Sequence, residues 1–327
     1  MTKIINIGVI GCANIADRHV IPSILELKEL FSLVGVASRN ADKSKWFAEK
    51  FDVIPYTGYG SLIEDQTIDA VYIPLPNSLH AEWIEKALNR NLHVLVEKPL
   101  ACNLLDVERL NNIALHKGLA LVENFPFRFH SQLAFTQQLV AEGKIGDLRC
   151  LRSSFGFPPF PDKGNIRYKK DLGGGALLDA GAYPVKISQI FLGYDLKVVA
   201  ASLHVDKELD IDIWGGAFLK QQSGDLFAEI AFGFDNFYQC NLELWGSKGK
   251  LSTKRIFTAP PNYKPEVIID TDSGQEVVPI ETDHHFLNML NHFHLLIVTK
   301  IGLEKEYIQN IHQARLLDGL KKKENAI

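Results

Sequence analysis

The first 124 residues alternate short, β-rich apolar runs with segments of helical character, and this alternation constrains the fold more than any other feature of the sequence. Six runs have strand character: Ile4–Ile10, Leu33–Ser38, Val53–Tyr56, Ala70–Leu75, His93–Glu97 and Leu119–Glu123. Between them, apolar residues recur at helical spacing in Ala41–Phe51, Leu79–Asn89 and Leu104–His116. Strands joined through helices are typical of a parallel sheet with crossover connections. The pattern predicts an α/β, doubly wound Rossmann domain over residues 1–124.

The pattern changes after a helical stretch near Ser131–Glu142. From there β-like runs follow one another with turn-like breaks: Leu148–Phe157, Val198–Val205, Ile211–Leu219, Leu226–Phe234 and Tyr238–Trp245. One helix is predicted among them at Ala176–Phe191, and two more at His284–Lys300 and Tyr307–Lys323. Successive strands without helices indicate a mainly antiparallel sheet. We therefore predict a second, α+β domain over residues 125–327, whose C-terminal helices can pack back on the first domain.

Charge and hydropathy exclude several classes of protein. The chain has 35 Lys and Arg against 39 Asp and Glu, a net charge of -4, so it has no basic excess for nucleic acid or a membrane surface. No apolar run reaches the roughly 18 residues of a membrane span, and the first strand begins without a signal-peptide pattern. We expect a cytoplasmic protein with neither a nucleic-acid nor a membrane partner.

Cysteine and histidine positions do not indicate a metal site. The four cysteines are far apart and lack CxxC spacing, so we expect reduced thiols: Cys12, Cys102, Cys150 and Cys240. Four histidines cluster near the C-terminus, without a nearby carboxylate and without a shared helical face: His284, His285, His292 and His294. We predict that the protein binds no metal.

The first strand leads into a glycine turn that suits a dinucleotide. Gly11 allows a tight turn, and the amides that follow can hold a pyrophosphate at a helix N-terminus. Ala13 and Ala16 stand where the GxGxxG fingerprint most often has glycine, so the motif alone also fits an ordinary strand-to-helix turn. The six-strand context favours the dinucleotide. The predicted contacts are Gly11, Cys12, Ala13, Asn14 and Ile15.

The end of the second strand indicates which dinucleotide is bound. NAD-binding domains usually have Asp or Glu there, but this strand ends in Ser38 and Arg39. A hydroxyl and a guanidinium can bind a 2'-phosphate, with Lys43 as an outer contact. We therefore predict NADP(H) rather than NAD(H). The alternative is that Arg39 and Lys43 are solvated residues that open a helix.

Two segments carry a resemblance to a known family. Residues 68–80, IDAVYIPLPNSLH, and residues 93–100, HVLVEKPL, resemble the glucose-fructose oxidoreductase, inositol dehydrogenase and rhizopine-catabolism family. The resemblance continues through Glu123 and Asn124, through Arg128-Phe129-His130, and to GGGALLDAGAYP at residues 173–184. It covers most of the chain. WGSKG at residues 245–249 and RIFTAPP at residues 255–261 are most similar to its nucleotide-sugar 3-ketoreductases.

The resemblance implies the catalytic residues. Lys98 stands where relatives have their catalytic lysine, at the end of the fifth strand, where an ammonium can stabilise charge on a reacting oxygen. Asp179 and Tyr183 are four residues apart on a predicted helix and share a face. Many relatives have histidine at the position of Tyr183, and a phenol is protonated at neutral pH, which favours reduction. A surface lysine and a core-lining tyrosine are the alternatives.

Further contacts follow from the same resemblance. It implies cofactor contacts at the ends of the fourth, fifth and sixth strands, namely Leu75, Pro76, Asn77, His80, Glu97, Lys98 and Asn124. His80 can instead be a helix-start residue with a structural hydrogen bond. Substrate contacts are predicted for Arg128 and for Arg167, the latter in a basic loop over Phe157–Lys170 that covers the crevice or is simply solvated. Relatives pair through the open face of the second sheet, which implies a homodimer or homotetramer.

The sequence thus predicts an NADPH-dependent reductase of a ketone on a nucleotide-linked sugar, with Tyr183 as proton donor, Lys98 assisting and Asp179 orienting the reacting groups. Oxidation of an aldose or a trans-dihydrodiol by NADP+ is an alternative, because the same residues can run the reaction backward. A non-catalytic cofactor-sensing regulator is another, because a galactose-pathway repressor shares this fold. The presence of both Lys98 and Tyr183 favours an enzyme. The sugar, its reacting carbon and the stereochemistry stay open.

Overall fold

Strands that are mostly buried on both faces build the sheet of the first unit, except for one largely exposed edge strand, Ile54–Thr57. In the computed structural model, which describes residues 3–324, six parallel strands have the order β3-β2-β1-β4-β5-β6. They are β1 (Ile5–Ile10), β2 (Phe31–Ser38), β3 (Ile54–Thr57), β4 (Ala70–Ile73), β5 (His93–Glu97) and β6 (Leu121–Asn124). The strand order reverses between β1 and β4, where such sheets bind ligands. The predicted doubly wound Rossmann sheet is confirmed.

Helices connect these strands. They are α1 (Ile21–Glu26), α2 (Ala41–Phe51), α3 (Tyr59–Ile63), α4 (Asn77–Asn89) and α5 (Leu104–Lys117), and a π-helical turn, Ala16–Val20, precedes α1. Asparagine caps begin two of them: Asn40 Oδ1 accepts from Lys43 N at 2.9 Å, and Asn103 Oδ1 accepts from Asp106 N at 2.9 Å. Gly118 ends α5 in the left-handed conformation. Local capping chemistry therefore sets the bounds of these helices.

The chain divides into two compact units, Met1–Asn124 with Phe286–Ile311 and Phe125–His285 with His312–Ile327. The ends of the two predicted domains, residues 1–2 and 325–327, lie outside the described residues. The first unit thus includes most of α8 (His285–Thr299) and the start of α9 (Leu303–Glu324). None of the helices within residues 3–324 combines the length and apolarity needed to cross a membrane.

Hydrogen bonds from α9 to the chain around β6 explain why this C-terminal segment belongs to the first unit. Tyr307 OH donates to Leu119 O at 2.5 Å, and Asn310 Nδ2 donates to Leu121 O at 3.1 Å. These bonds satisfy backbone carbonyls that would otherwise be buried without a partner.

The second unit is built on an eight-stranded sheet with the order β14-β13-β12-β11-β7-β10-β9-β8. Its strands are β7 (Leu148–Gly156), β8 (Leu196–Asp206), β9 (Ile211–Gln221), β10 (Phe227–Gly233), β11 (Gln239–Gly246), β12 (Gly249–Lys254), β13 (Glu266–Thr271) and β14 (Gly274–Pro279). Only β7 and β10 pair in parallel, so the predicted mainly antiparallel sheet is confirmed. The strands β12 to β14, which extend the sheet at one edge, were not among the predicted strands.

One face of this sheet is packed and the other is open. Besides the C-terminal part of α9, this unit contains α6 (Ser131–Ala141) and α7 (Ala182–Leu192), and α7 packs against β7 and β10. Leu242 and Leu244 of β11 are buried, whereas the alternate residues Asn241 and Glu243 are partly exposed and Trp245 is half exposed. The alternation leaves a broad, partly polar face that includes an exposed tryptophan.

Candidate active site

Gly11 forms the turn at the end of β1. Its φ is +119°, and a Cβ at this position would lie 2.8 Å from Leu75 Cδ2, so the turn requires glycine. The predicted contact residues follow in the chain, from buried Cys12 and half-buried Ala13 to exposed Asn14. Burial raises the pKa of the Cys12 thiol to about 11, although the nearby positive charge of Lys43 lowers it. The turn thus allows a ligand to approach the backbone closely, and the positive charge of Lys43 lies nearby.

The end of β2 is polar and carries no carboxylate. Ser38 is buried, and its Oγ accepts from Asn40 N at 3.2 Å. Arg39 is exposed, and Asn40 caps α2, which also carries the exposed Lys43. No ion pair involves Arg39 within residues 3–324. Such a guanidinium can bind an anionic ligand without first breaking an ion pair with a protein carboxylate.

Glu97 joins the ends of β4, β5 and β6. Its Oε1 accepts from Tyr72 OH at 2.6 Å and from Asn124 Nδ2 at 2.7 Å. Desolvation raises the pKa of the Glu97 carboxyl, although these hydrogen bonds and the charge of Lys98 lower it. Asn124 is buried, and its Oδ1 has no hydrogen-bond partner within the described residues. These contacts fix the strand end from which the half-buried Lys98 emerges.

His80 holds the segment that follows Lys98. It is fully buried, with Nδ1 2.7 Å from Pro99 O and Nε2 2.8 Å from Leu75 O. Burial, and to a lesser degree the charge of Lys98, lowers the pKa of His80. The Lys98–Pro99 peptide is cis. The His80 ring thus lies between the backbone segments that follow β4 and β5, which fits its interpretation as a residue with structural hydrogen bonds, and its cofactor contact stays a prediction.

Glu123 also binds the segment that follows Lys98. Glu123 Oε1 accepts from Leu100 N at 3.0 Å, so Pro99 O and Leu100 N are both bound by buried side chains. The predicted contacts Pro76 and Asn77 lie at the start of α4 and are half-buried. Leu75, Asn77, Glu97, Lys98 and Asn124 are therefore brought together at the carboxyl edge of one sheet.

In the second unit, Asp179 lies in a π-helical turn, Leu177–Gly181, and Tyr183 lies in the first turn of α7. The predicted helix over Ala176–Phe191 is thus a π-helical turn followed by an α-helix. The Asp212 carboxylate of β9 accepts from Leu177 N at 2.5 Å. A Cβ at Gly175, whose φ is +114°, would lie 2.3 Å from Asp212 Oδ1, so glycine is required beside this carboxylate.

Aromatic rings hold Tyr183. Four phenylalanine rings lie with centroids 5.0 to 5.9 Å from its ring, namely Phe125, Phe127, Phe155 and Phe257. Edge-to-face and tilted contacts of this kind favour one ring orientation. Tyr183 is half-buried, so the phenol is oriented by packing while part of the side chain stays accessible.

Arg167 contacts Asp179 directly. Its Nε donates to Asp179 Oδ2 at 2.6 Å, and its guanidinium lies 4.9 Å from the centroid of the Phe160 ring. The loop that carries it is packed through aromatic residues, since Phe160 also contacts Tyr168 and Phe234. Arg128, the other predicted substrate contact, lies 5.0 Å over the Phe129 ring in the turn after β6. Arg167 and Asp179 therefore form an ion pair within the second unit of the chain.

Sequence reasoning missed several of these contacts. Asp212 is 35 residues from Leu177, and an acidic residue inside a strand gives no local sign of the helix it caps. Tyr72 and Glu123 were read as strand residues, and only the carboxyl-edge position of Glu123 could have suggested a role. The expectation that the C-terminal histidines lack a nearby carboxylate is wrong for His292, whose Nε2 lies 3.0 Å from Glu306 Oε1. No group of three metal-binding side chains occurs within residues 3–324.

Comparisons with known proteins agree with this arrangement. Residues 5–125 match the GFO/IDH/MocA model described as an oxidoreductase family with an NAD-binding Rossmann fold, and residues 134–252 match a GFO/IDH/MocA C-terminal domain. The dTDP-3,4-didehydro-2,6-dideoxy-alpha-D-glucose 3-reductase of Actinomadura kijaniata is 39% identical over 317 residues, covering 97% of this chain and 95% of the relative. The enzyme of the same name from Saccharopolyspora spinosa is 42% identical over 270 residues, covering 83% and 80%.

A solved structure is also similar over the whole chain. The crystal structure of a 3-ketoreductase from Actinomadura kijaniata in complex with NADP and TDP-benzene has a TM-score of 0.94 and 39% sequence identity. The match covers 98% of each chain.

The binding of His80 gives a prediction about stability. Replacing His80 by Ala removes a buried ring that, when neutral, donates a hydrogen bond to one of these two carbonyls, and it creates a cavity, so we expect the free energy of unfolding to fall by about 3 kcal/mol. Urea denaturation at pH 7.5 measures this change. Replacing the exposed His116 of α5 by Ala serves as the control and should change stability by less than about 0.5 kcal/mol. Equal effects of the two substitutions would contradict the clamping role.

The lowered pKa of His80 also predicts a pH dependence. Below the ordinary histidine pKa of about 6.5 the unfolded chain takes up a proton that the folded protein resists, so stability falls as the pH falls. The wild type should therefore lose stability between pH 7 and pH 5 more steeply than His80→Asn, which lacks this titration. Parallel curves would show that His80 is not held neutral by the fold.

Proposed function

Because the chain belongs to the GFO/IDH/MocA oxidoreductase family, we propose that it is an NADP(H)-dependent reductase of a ketone on a nucleotide-linked sugar. The observation that carries this proposal is the similarity, along 97–98% of the chain, to a dTDP-sugar 3-reductase and to a 3-ketoreductase structure with NADP and TDP-benzene. The geometry of the two units supports it, since each presents the residue types that a carbonyl reduction needs.

The residues at the carboxyl edge of the first sheet fit NADP(H). The Gly11 turn leaves space that a Cβ would fill, and Ser38 and Arg39 offer a hydroxyl and a guanidinium where a carboxylate would repel a 2'-phosphate. We assign the pyrophosphate to residues 11–15, the 2'-phosphate to Ser38 and Arg39 with Lys43 outside them, and the nicotinamide half to Leu75, Pro76, Asn77 and Asn124. When bound, NADPH supplies the hydride that reduces the carbonyl carbon.

The protein's own residues handle the proton and the charge. In the proposed reaction Tyr183 donates its phenolic proton to the ketone oxygen, so that the added hydride and this proton together give the alcohol. The Lys98 ammonium hydrogen-bonds the same oxygen and stabilises the negative charge that develops on it. Asp179, bound by Arg167, orients the reacting groups. The tyrosinate then regains a proton from solvent.

Measuring turnover after the proposed proton donor has been removed tests the reaction. We expect NADPH oxidation, followed at 340 nm, with a dTDP-linked 3-keto-deoxysugar, and a loss of about 10²- to 10⁴-fold in kcat for Tyr183→Phe with unchanged NADPH affinity. Tyr194→Phe is the control, because this exposed tyrosine keeps its ring contact with His312. Equal kcat in Tyr183→Phe would remove the proton-donor role. NADP+ reduction by free aldoses or dihydrodiols, without turnover of any nucleotide-linked ketosugar, would replace the proposed substrate class.

The preference for NADPH is a separate prediction. Arg39→Ala removes a charge-assisted contact to the 2'-phosphate, so we expect the KM for NADPH to rise about 10- to 100-fold while kcat/KM for NADH stays within about threefold. Lys45→Ala on the exposed side of α2 is the matched control and should change neither value. If the KM values for both dinucleotides rise equally, Arg39 does not select the phosphate.

We also propose that the chain forms homo-oligomers through the open face of the second sheet. Trp245 is half exposed there, and Arg152 lies 5.3 Å over its ring while pairing with Glu229 and Glu243. A broad face that joins an exposed aromatic ring with an ordered charge network suits a symmetric contact. A cytoplasmic location and the lack of nucleic-acid and membrane partners stay predictions, which cell fractionation and pull-down experiments would test.

Sedimentation velocity tests the interface. The wild type should sediment as a dimer or tetramer of the 36.7 kDa chain, and Trp245→Asp should shift it to the monomer, because a carboxylate would be buried without a partner. Trp46→Asp, which changes a similarly exposed tryptophan on α2 of the first unit, should leave the oligomer intact. Oligomers that persist in Trp245→Asp would place the interface elsewhere.

A further inference from the structure

Two tyrosine rings flank an arginine just after the end of β12. The guanidinium carbon of Arg255 lies 5.4 Å from the centroid of the Tyr238 ring and 5.7 Å from that of Tyr263, within the range of cation–π contacts. Phe237, next to Tyr238, is 87% exposed. We call these four residues the Arg255 cluster. Such exposure of a phenylalanine leaves an aromatic face free to stack on a ligand.

Arg255 is held in place without being neutralised. It is exposed, and no carboxylate forms an ion pair with it in the part of the chain from residue 3 to residue 324. By contrast, Arg152 on the same sheet pairs with Glu229 and Glu243. The tyrosine rings restrict the guanidinium but leave its charge and its planar set of donors available to an anion.

The cluster is connected to the surroundings of Tyr183. Two residues after Arg255, the buried Phe257 packs against the Tyr183 ring with centroids 5.4 Å apart. The next residue, Thr258, places its Oγ1 3.0 Å from Tyr238 OH. One short segment therefore contacts the proposed proton donor on one side and the Arg255 cluster on the other.

The cluster also lies beside the strand ends from which the 157–172 loop arises. Gln239, which follows Tyr238, pairs with Gly156 at the end of β7, and Asn236 N donates to Phe157 O at 3.2 Å. The same loop carries Arg167, the partner of Asp179. The Arg255 cluster and Tyr183 are therefore connected through neighbouring residues of the second unit. A substrate whose ketone lies at Tyr183 can extend toward this cluster.

We propose that the Arg255 cluster binds the nucleoside diphosphate part of the substrate. The guanidinium binds the diphosphate oxygens, and the exposed ring of Phe237 or Tyr238 stacks on the base. A ligand that carries both negative oxygens and an aromatic face matches both halves of the cluster, whereas a free sugar matches neither. This inference rests on the proposed function, because it assigns a subsite to the proposed substrate.

Binding of dTDP alone, measured by calorimetry on the full-length protein saturated with NADPH, tests the subsite. We expect the dissociation constant for dTDP to rise about 10- to 100-fold in Arg255→Met and to rise less in Phe237→Ala, because the loss of a charge-assisted contact costs more than the loss of one stacking face. Lys254→Gln is the control, since it removes the adjacent exposed charge outside the cluster and should stay within about twofold.

The outcomes separate this inference from the proposed function. If the wild type binds dTDP and Arg255→Met binds it equally well, the subsite lies elsewhere and the inference is overturned, while the proposed function stands. If the wild type binds NADPH but neither dTDP nor other nucleoside diphosphates, the proposed substrate class itself is overturned. If Arg255→Met does not fold, Arg255→Lys keeps the charge but loses the planar donors, and it should still weaken dTDP binding. With a nucleotide-linked ketosugar, the KM should rise in either variant while kcat changes by less than about threefold.

Discussion

Polar side chains that are buried and bound to backbone atoms determine the carboxyl edge of the first sheet. His80 lies between Leu75 O and Pro99 O, and Glu123 accepts from Leu100 N. A loop that leaves a parallel sheet exposes carbonyls and amides that no neighbouring strand can satisfy, and burial makes each of them costly unless a side chain binds it. These side chains let the chain turn after Lys98 without a mobile loop.

The second unit orients its two proposed reacting residues by different means. Tyr183 is packed against four phenylalanine rings, which orient the phenol. Asp179 is instead held by ionic and backbone contacts, through Arg167 and through the capping of its helical turn by Asp212. A proton donor that must stay neutral suits an apolar setting, whereas a carboxylate needs donors. Each environment therefore matches the protonation state that the proposed chemistry requires.

The elements predicted from the sequence are those that depend on local patterns. The six strands of the first sheet follow from apolar runs at regular spacing, and α2 and α5 follow from apolar residues at helical spacing. Of the three strands β12 to β14, which were not predicted, β14 is a mostly exposed edge strand, and β12 and β13 are only six residues long and bury two side chains each. Partners distant in the chain could not be predicted either. Nothing near His80 indicates that its ring binds the carbonyl of Pro99, 19 residues away.

The presence or absence of paired carboxylates gives a physical reason why Arg39 and Arg255 are proposed as anion sites. Arg109 and Arg152 each pair with two carboxylates, so an incoming phosphate would have to displace existing partners. Arg39 and Arg255 have no such partner within residues 3–324, and an anion that binds them displaces only water. In a chain of net charge -4, long-range attraction of anions is weak, so selectivity has to come from such local sites. An arginine that is restricted by aromatic packing rather than by a carboxylate keeps both its orientation and its charge for the ligand.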